Sequence, residues 1–511
     1  MNTTRTRTRS HRRGIALAAA LAAVTVGAAA CSSGTSTSGS GSGGGSGSLT
    51  VAGPYQITGL DPSGTLAADN GTQLAAKQIF STLVIRDGTN YTPGLATSWK
   101  RTDGDRTWTF QLRPSATFSD GTPVTSDDVK QSVAREVKLA GPLAALWTGV
   151  TVSTPGKNTV AFTAKDPQGA LLSKLGTLSV LPAASVGRSG FFNKPVGSGP
   201  FEVSSFTPGQ KLTLVPNPRF YGTKPSVKKV TITYISNISA RVTALKTGEI
   251  QGTWGLPDDQ IAQLDGQDGL TTKTVPSDAQ YTLWFNSGRP AFQQTAVRRA
   301  LWQAVDYSAI IKSLYPVTGT AAKAPISTTI TGFAAQAPYA YDPAAAKAAL
   351  TSAGFDFGKS YQLAYSGDEF TPFAQAVASD FAKIGVKVVP TEKEKATYLS
   401  DLLAMKWDIN LQSLSDATGD ADYVLGRLYT CKAARTGYCK HTLDQQLAQA
   451  AATGDQTTRD QLYAQAQKTI WDQAVGMYPM DVRISYTWRD NVSGFATSTN
   501  YQPSFAGVKV S

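Results

Sequence analysis

The pattern of apolar residues is clearest between Val196 and Ile250. Gly197, Gly199 and Pro200 mark a turn, since glycine reaches backbone angles closed to other residues and proline fixes the exit direction. Phe201, Val203 and Phe206 then predict a strand and Pro208-Gly209 a turn. Leu212 and Leu214 alternate with Lys211, Thr213 and Val215, which predicts a second strand paired back as a hairpin with one buried face, ended by Asn217-Pro218. The β-branched run Val230 to Ile235 predicts a third strand. Ser239 to Leu245 follow at helical spacing, with Gly248 as C-cap.

The same mixture continues on both sides of this stretch. Leu66 to Phe80 carry apolar residues at helical spacing, and Trp108 to Leu112 read as a strand. In FSDGTPVTSDDV, Asp120 belongs to a turn, and Thr125 or Ser126 caps a helix with Asp127 and Asp128 in its first turn. Tyr281 to Asn286 form a strand pattern. Val297, Leu301, Ala304, Val305 and Ile310 then share the buried side of one amphipathic helix. Asp342, Pro343 and Gly354 bracket a helix as cap, first residue and C-cap. AQAVASDFAKIGVKVVP reads as helix, glycine, strand, a fragment of the α/β kind.

Composition narrows the class. At 511 residues the chain can fill two or more packed lobes, and 41% hydrophobic with 16% charged residues is ordinary for a globular protein. Of the +12 net charge, five units come from Arg5, Arg7, Arg9, Arg12 and Arg13, ahead of the apolar run Ile15 to Ala30. The rest of the chain is mildly basic and has no Lys/Arg cluster to follow a phosphate backbone, which argues against nucleic-acid binding. Residues 1–30 have the parts of a secretory signal, with an apolar run shorter than the roughly 20 residues that span a bilayer. Cys31 follows three alanines, a pattern similar to a bacterial lipobox with Ala at its first position, and is the expected lipid anchor. Residues 31–48 are a Ser/Gly-rich linker with a reach of roughly 20 to 25 Å. Arg12-Arg13 leave twin-arginine export open beside the general secretory route.

Taken as text, VGSGPF, PGQ, NPRFYG and RVTALKTGEI resemble, in this order, motifs of the family 5 extracellular solute-binding proteins, the peptide- and nickel-binding receptors of ABC importers. STLVIRDG, FSDGTPVTSDDV and YTLWFN followed by RPAFQQTAVRRALWQAVDY extend the likeness. It departs at Gln294 and Tyr307, where the family carries Asp and Arg; both are expected on a helix surface. The resemblance runs from Leu49 to Ser511. It implies an α/β, two-lobed periplasmic-binding-protein type II fold of the large cluster C type, with an extra subdomain inserted in the first lobe. The scaffold lobe is expected at 49–77, 190–276 and 479–511, the inserted subdomain at 78–189 and the second lobe at 277–478. A monomeric, non-enzymatic receptor without cofactor or metal is implied, anchored outside the cytoplasmic membrane and partnered by an ABC permease.

Two chemical alternatives bear on the cysteines. Cys431 and Cys439 can oxidise to one another outside the cell, or hold zinc together with His441. The resemblance implies the disulfide, because dipeptide-binding members carry a comparable loop after an L-x-x-C step, here Leu428 to Cys431. A Ser-His-Asp or Cys-His hydrolase would have to use His441, since the other histidine, His11, lies in the leader, and no G-x-S-x-G elbow precedes a helix. A hydrolase with a carboxylate pair, and a peptide receptor that signals without transport, stay open.

The same resemblance points to the ligand. LQSLSDATGDADYVLGRLYTC matches the segment where peptide-binding members offer an aspartate to the ligand's α-ammonium, placing Asp416 there or, one small insertion away, Asp420. Acids in a Gly-containing loop also serve as turn formers. Dipeptide-type members place an arginine for the ligand carboxylate where Thr371 and Pro372 stand here, which keeps longer peptides and other solutes open. Trp254 and Trp284 are expected beside the cleft, with core packing as the bland reading. Tyr55, in a Gly-Pro-Tyr loop, is a third aromatic candidate.

Overall fold

The computed structural model describes residues 47–264 and 266–511. The expected signal segment, Cys31 and most of the linker lie outside the described residues. One sheet of eleven strands runs through the body. In order across it stand Lys387–Glu392, Ser360–Tyr365, Ile409–Ser415, Leu270–Phe285, Gly476–Arg489, Gly252–Trp254, Ser48–Gly53, Lys229–Tyr234, Lys211–Pro216 and Phe201–Thr207, with Gly319–Ala321 paired to Gly476–Arg489 off this path. A separate four-stranded antiparallel sheet is built from Ala96–Thr102, Thr107–Leu112, Thr159–Ala164 and Val150–Gly156.

The stretch that is most regular in sequence folds as its pattern dictates. Phe201–Thr207 and Lys211–Pro216 form an antiparallel hairpin, and Leu212 and Leu214 are fully buried while Lys211 is exposed. Burying each leucine contributes about 1.5–3 kcal/mol, which fixes the register because a one-residue slip would put both in water. Lys229–Tyr234 pairs parallel with Ser48–Gly53, and the helix Ile238–Thr247 ends at Gly248 in the left-handed conformation (φ 83°). Its N-cap is Asn237, whose side chain accepts from the Ala240 amide at 2.8 Å. The acids of the FSDG segment are used locally. Asp120 accepts from the Thr122 amide, and Asp128 completes a capping box with Thr125.

Two elements depart from the pattern. The strand expected from Tyr281 begins eleven residues earlier, at Leu270, because LTTKTVP is polar and half-exposed and gives no hydrophobic alternation. The helix expected to run unbroken past Val305 is two, Thr295–Gln303 and Tyr307–Leu314, since Asp306 caps the second by accepting from the Ala309 amide at 2.9 Å. Tyr307 is therefore not a surface residue: it is buried, and its hydroxyl meets the Met477 sulfur at 3.0 Å.

Four apolar cores follow this layout, the smallest around Val242, Leu245, Leu256 and Ile261. The first gathers Leu49, Val51, Ile79, Phe201, Leu214, Ile232, Trp254 and Phe505. The second gathers Trp284, Leu301, Phe373, Ile409, Tyr463 and Met477. The third, under the four-stranded sheet, gathers Leu83, Phe110, Phe118, Val129 and Phe162. The long strands Leu270–Phe285 and Gly476–Arg489 contribute to both of the first two cores. Among the described residues no helix is long and apolar enough to cross a membrane.

Candidate functional site

The two long strands are antiparallel neighbours, but their register shifts between Pro276 and Gln280. Proline has no N–H to give to the ladder, and the chain bulges at Ser277 to Ala279, where the Ser277 hydroxyl donates to the Val482 carbonyl at 2.8 Å. The bulge lifts Asp278 out of the pleat. Its amide donates to the Thr499 carbonyl (2.8 Å), its carbonyl accepts from the Asp416 amide (3.2 Å), and so the chain segments of both cores meet here.

The carboxylate of Asp278 is fully buried and fully used. Arg86, from the hairpin Val84–Asp87 and Asn90–Pro93 beside the third core, reaches it with Nη1 at 2.7 Å and Nη2 at 3.3 Å. Thr329 and Thr499 donate their hydroxyls to its two oxygens at 2.7 and 3.0 Å. Arg86 also donates to the Thr329 carbonyl at 2.6 Å. Burial opposes the charge on Arg86, but Asp278 outweighs it and the pKa is raised. One bidentate pair thus joins the hairpin Val84–Asp87 and Asn90–Pro93 to the bulge in the long strand Leu270–Phe285.

Asp416 follows directly on the strand Ile409–Ser415, whose Ser415 is the register partner of Ala279. Its Oδ1 accepts from the Thr418 amide (2.8 Å), the Thr418 hydroxyl (3.0 Å) and the Gly419 amide (2.7 Å). Its Oδ2 is buried without a partner. The turn formed around Oδ1 needs Gly419: its φ is +74°, and a Cβ there would overlap the Arg86 guanidinium. Burial first, then the charge of Asp278, push the Asp416 carboxyl up to about 7, against the Thr418 and Gly419 bonds that lower it.

Asp420, the alternative acid, is occupied. Both its oxygens pair with Arg459, at 2.8 and 2.5 Å, and Oδ1 accepts from the Asp422 amide as well. Its charge is matched inside the protein by the buried Arg459 guanidinium. Trp254 and Trp284 take the core packing that was their bland reading. Each is 1% exposed, and their indole N–H groups donate to the Tyr501 carbonyl and the Tyr429 hydroxyl, both at 3.0 Å. These rings fill the first and second cores, where the transfer of a large aromatic surface out of water favours them.

Tyr55 stands apart from the tryptophans. It is 38% exposed and meets Tyr501 edge to face at 5.6 Å between centroids. From the other side come Tyr281 and Tyr315, 5.8 Å apart, and Glu369, whose charge reaches Tyr55, Tyr281 and Tyr315 alike. Asp416, Asp420, Trp254 and Trp284 are buried, whereas Tyr55 is exposed. Cys431 and Cys439 are bonded to each other at a Cα separation of 4.6 Å. Cys431, His441 and Asp444 gather nearby, but a sulfur held in a disulfide offers no thiolate to zinc.

Arg86 and Asp278 were not singled out by sequence reasoning. The one local signal was Pro276 inside a strand, which marks a break in the ladder.

The chain belongs to the bacterial extracellular solute-binding proteins of family 5, whose middle-region model matches residues 90–436. It has their type II periplasmic-binding-protein fold. Among its relatives, the probable D,D-dipeptide-binding periplasmic protein DdpA of Escherichia coli K12 is 30% identical over 463 residues, covering 85% of this chain and 89% of the relative. Similar solved structures include DppA from Helicobacter pylori with the peptide STSA (TM-score 0.77, 24% identity, 91% and 98% covered). NikA from Brucella suis with Fe(III)-EDTA has a TM-score of 0.82 at 20% identity, with 91% and 100% covered.

Proposed function

We propose that this protein captures a peptide or similar small solute, holding a ligand ammonium between the two lobes, and delivers it to an ABC import permease. The observation that carries the reading is the buried, unpartnered Oδ2 of Asp416 beside the hinge bulge. A buried carboxylate oxygen without a donor costs free energy in the empty protein, and a ligand cation removes that cost. The Asp278–Arg86 pair joins the walls on both sides of the cleft, so that closure gives the ligand contacts from each lobe. The relative in Escherichia coli is described as dipeptide-binding and the Helicobacter structure holds a peptide, which supports the same class.

In this reading the scaffold lobe comprises 49–77, 190–276 and 479–511, the inserted subdomain 78–189 and the second lobe 277–478. Cys31 carries the lipid anchor, residues 31–48 tether a monomeric body outside the cytoplasmic membrane, and the chain performs no chemistry on its ligand. Mass spectrometry of small molecules released from the denatured purified protein tests it. Peptides are expected; recovery of a metal chelate or a sugar would overturn the reading.

A further inference from the structure

The strand Ser48–Gly53 starts among lysines. Ser48 pairs with Lys229, and the Lys228 amide donates to the Gly47 carbonyl at 2.6 Å. The methylene stem of Lys228 lies against Gly47, where a Cβ would come within 3.3 Å of its Cγ. The Ser226 hydroxyl donates to the Val508 carbonyl at 3.0 Å, which brings Lys509 to the same edge, and Lys224 stands just ahead of Ser226 in the chain. Lys224, Lys228, Lys229 and Lys509 are all exposed, and among the described residues none of them has a carboxylate at ion-pair distance.

Along the rest of this end of the sheet the charges cancel. Gly252 pairs with Trp488 and Leu270 with Arg489, which gathers Lys246, Glu249, Arg489 and Asp490 there, both signs equally. On the hairpin side Phe201 pairs with Pro216, and the chain on either side supplies Glu202 and Arg219, again one of each sign. The excess positive charge therefore sits on the four lysines. They stand at the point where the Ser/Gly-rich linker, with its reach of roughly 20 to 25 Å, joins the body.

We propose that the face carrying Lys224, Lys228, Lys229 and Lys509 docks on the anionic phospholipid surface in which Cys31 is anchored. The assignment rests on the lipid-anchor reading above and adds an orientation to it. A short tether cannot carry these lysines far from the bilayer, and the negative surface potential draws them in over the last Debye length, about 8 Å at physiological salt. A lipid anchor with a basic face beside it holds a body on a membrane more firmly than either signal alone. Ser48–Gly53 leads away from this face toward Tyr55 at about 3.3 Å per residue, so the docked body keeps Tyr55 roughly 20 Å from the lipid, on the side open to solute.

Co-sedimentation with vesicles tests it, using the mature chain from residue 31 with Cys31→Ser so that no lipid is attached. Binding to vesicles of equimolar phosphatidylglycerol and phosphatidylcholine at low ionic strength is expected, with none to phosphatidylcholine alone and release by added salt. Lys224→Gln, Lys228→Gln, Lys229→Gln and Lys509→Gln together should weaken binding roughly 100- to 1,000-fold, about fivefold for each lysine. An equal charge change on the second lobe, at the exposed Lys312, Lys347, Lys387 and Lys406, each to Gln, should leave binding nearly unchanged. No binding to the mixed vesicles, or equal loss in both fourfold variants at unchanged melting temperature, overturns the assignment without touching the anchor. Tighter binding to soluble polyphosphate than to the vesicles gives the face to a soluble polyanion and overturns it as well. The anchor is read separately, from the mass of the N-terminal fragment of the wild type: an unmodified Cys31 overturns the anchor reading, while the vesicle result still decides the face.

Discussion

Asp416 and Asp420 are the same residue type in one loop, both buried, and their surroundings assign them opposite work. Asp420 has Arg459 on both oxygens, so its charge is spent inside the protein. Asp416 has one oxygen engaged by its own turn and one left bare. A satisfied buried acid holds the fold together, whereas an unsatisfied one holds a place for something else. Removing the first should therefore cost stability and removing the second should cost binding.

The largest effect is expected from Asp420→Ala. It leaves the Arg459 guanidinium, 1% exposed, without its partner, and the loss should be about 3–5 kcal/mol in denaturant unfolding. A change in peptide affinity at unaltered stability would break the contrast. Arg86→Met comes next, at about 1–3 kcal/mol, because Asp278 keeps the Thr329 and Thr499 hydroxyls after the guanidinium is gone. A melting curve shows this directly. Asp416→Asn should weaken alanyl-alanine roughly 10- to 100-fold in calorimetry and cost little stability, since an amide oxygen can still accept from Thr418 and Gly419.

The smallest effect is in pH. The Asp416 carboxyl is raised from its ordinary 3.8 to about 7, so between those values the empty fold binds a proton that the unfolded chain does not. Ionising Asp416 therefore costs stability as the pH rises through that window, and Asp416→Asn should melt higher than the wild type at pH 8. Binding has the opposite sign. A ligand ammonium needs the ionised form, so affinity should fall below pH 7, by up to about tenfold per unit, and the fall should vanish in Asp416→Asn. Asp278 and Asp420 are the charged neighbours that keep the Asp416 carboxyl high.

The parts of this molecule that depend on local rules were readable from the chain. The hairpin around Pro208-Gly209, the caps at Asp342 and Gly248, and the helix-to-strand step at Gly385 each follow from residues within one turn of the feature. The second helix break needed Asp306 to be recognised as a cap inside an apolar pattern. The charges at the hinge had no such signal. Arg86 and Asp278 lie 192 positions apart, and neither hydrophobic period nor turn chemistry links them. Trp254 and Trp284 are buried in the cores, the packing that large aromatics favour, and which face of a strand each ring takes is not written in its neighbours in sequence.

The most direct test of the central claim counts protons. Titrating alanyl-alanine into the protein at pH 6, in buffers of different ionisation enthalpy, reports how many protons binding releases. With its carboxyl raised to about 7, Asp416 is largely protonated at that pH, so capture of the ligand ammonium should release most of a proton per peptide, and Asp416→Asn should release none. Binding by the wild type without proton release, or with the same release in Asp416→Asn, would contradict the role assigned to this carboxylate.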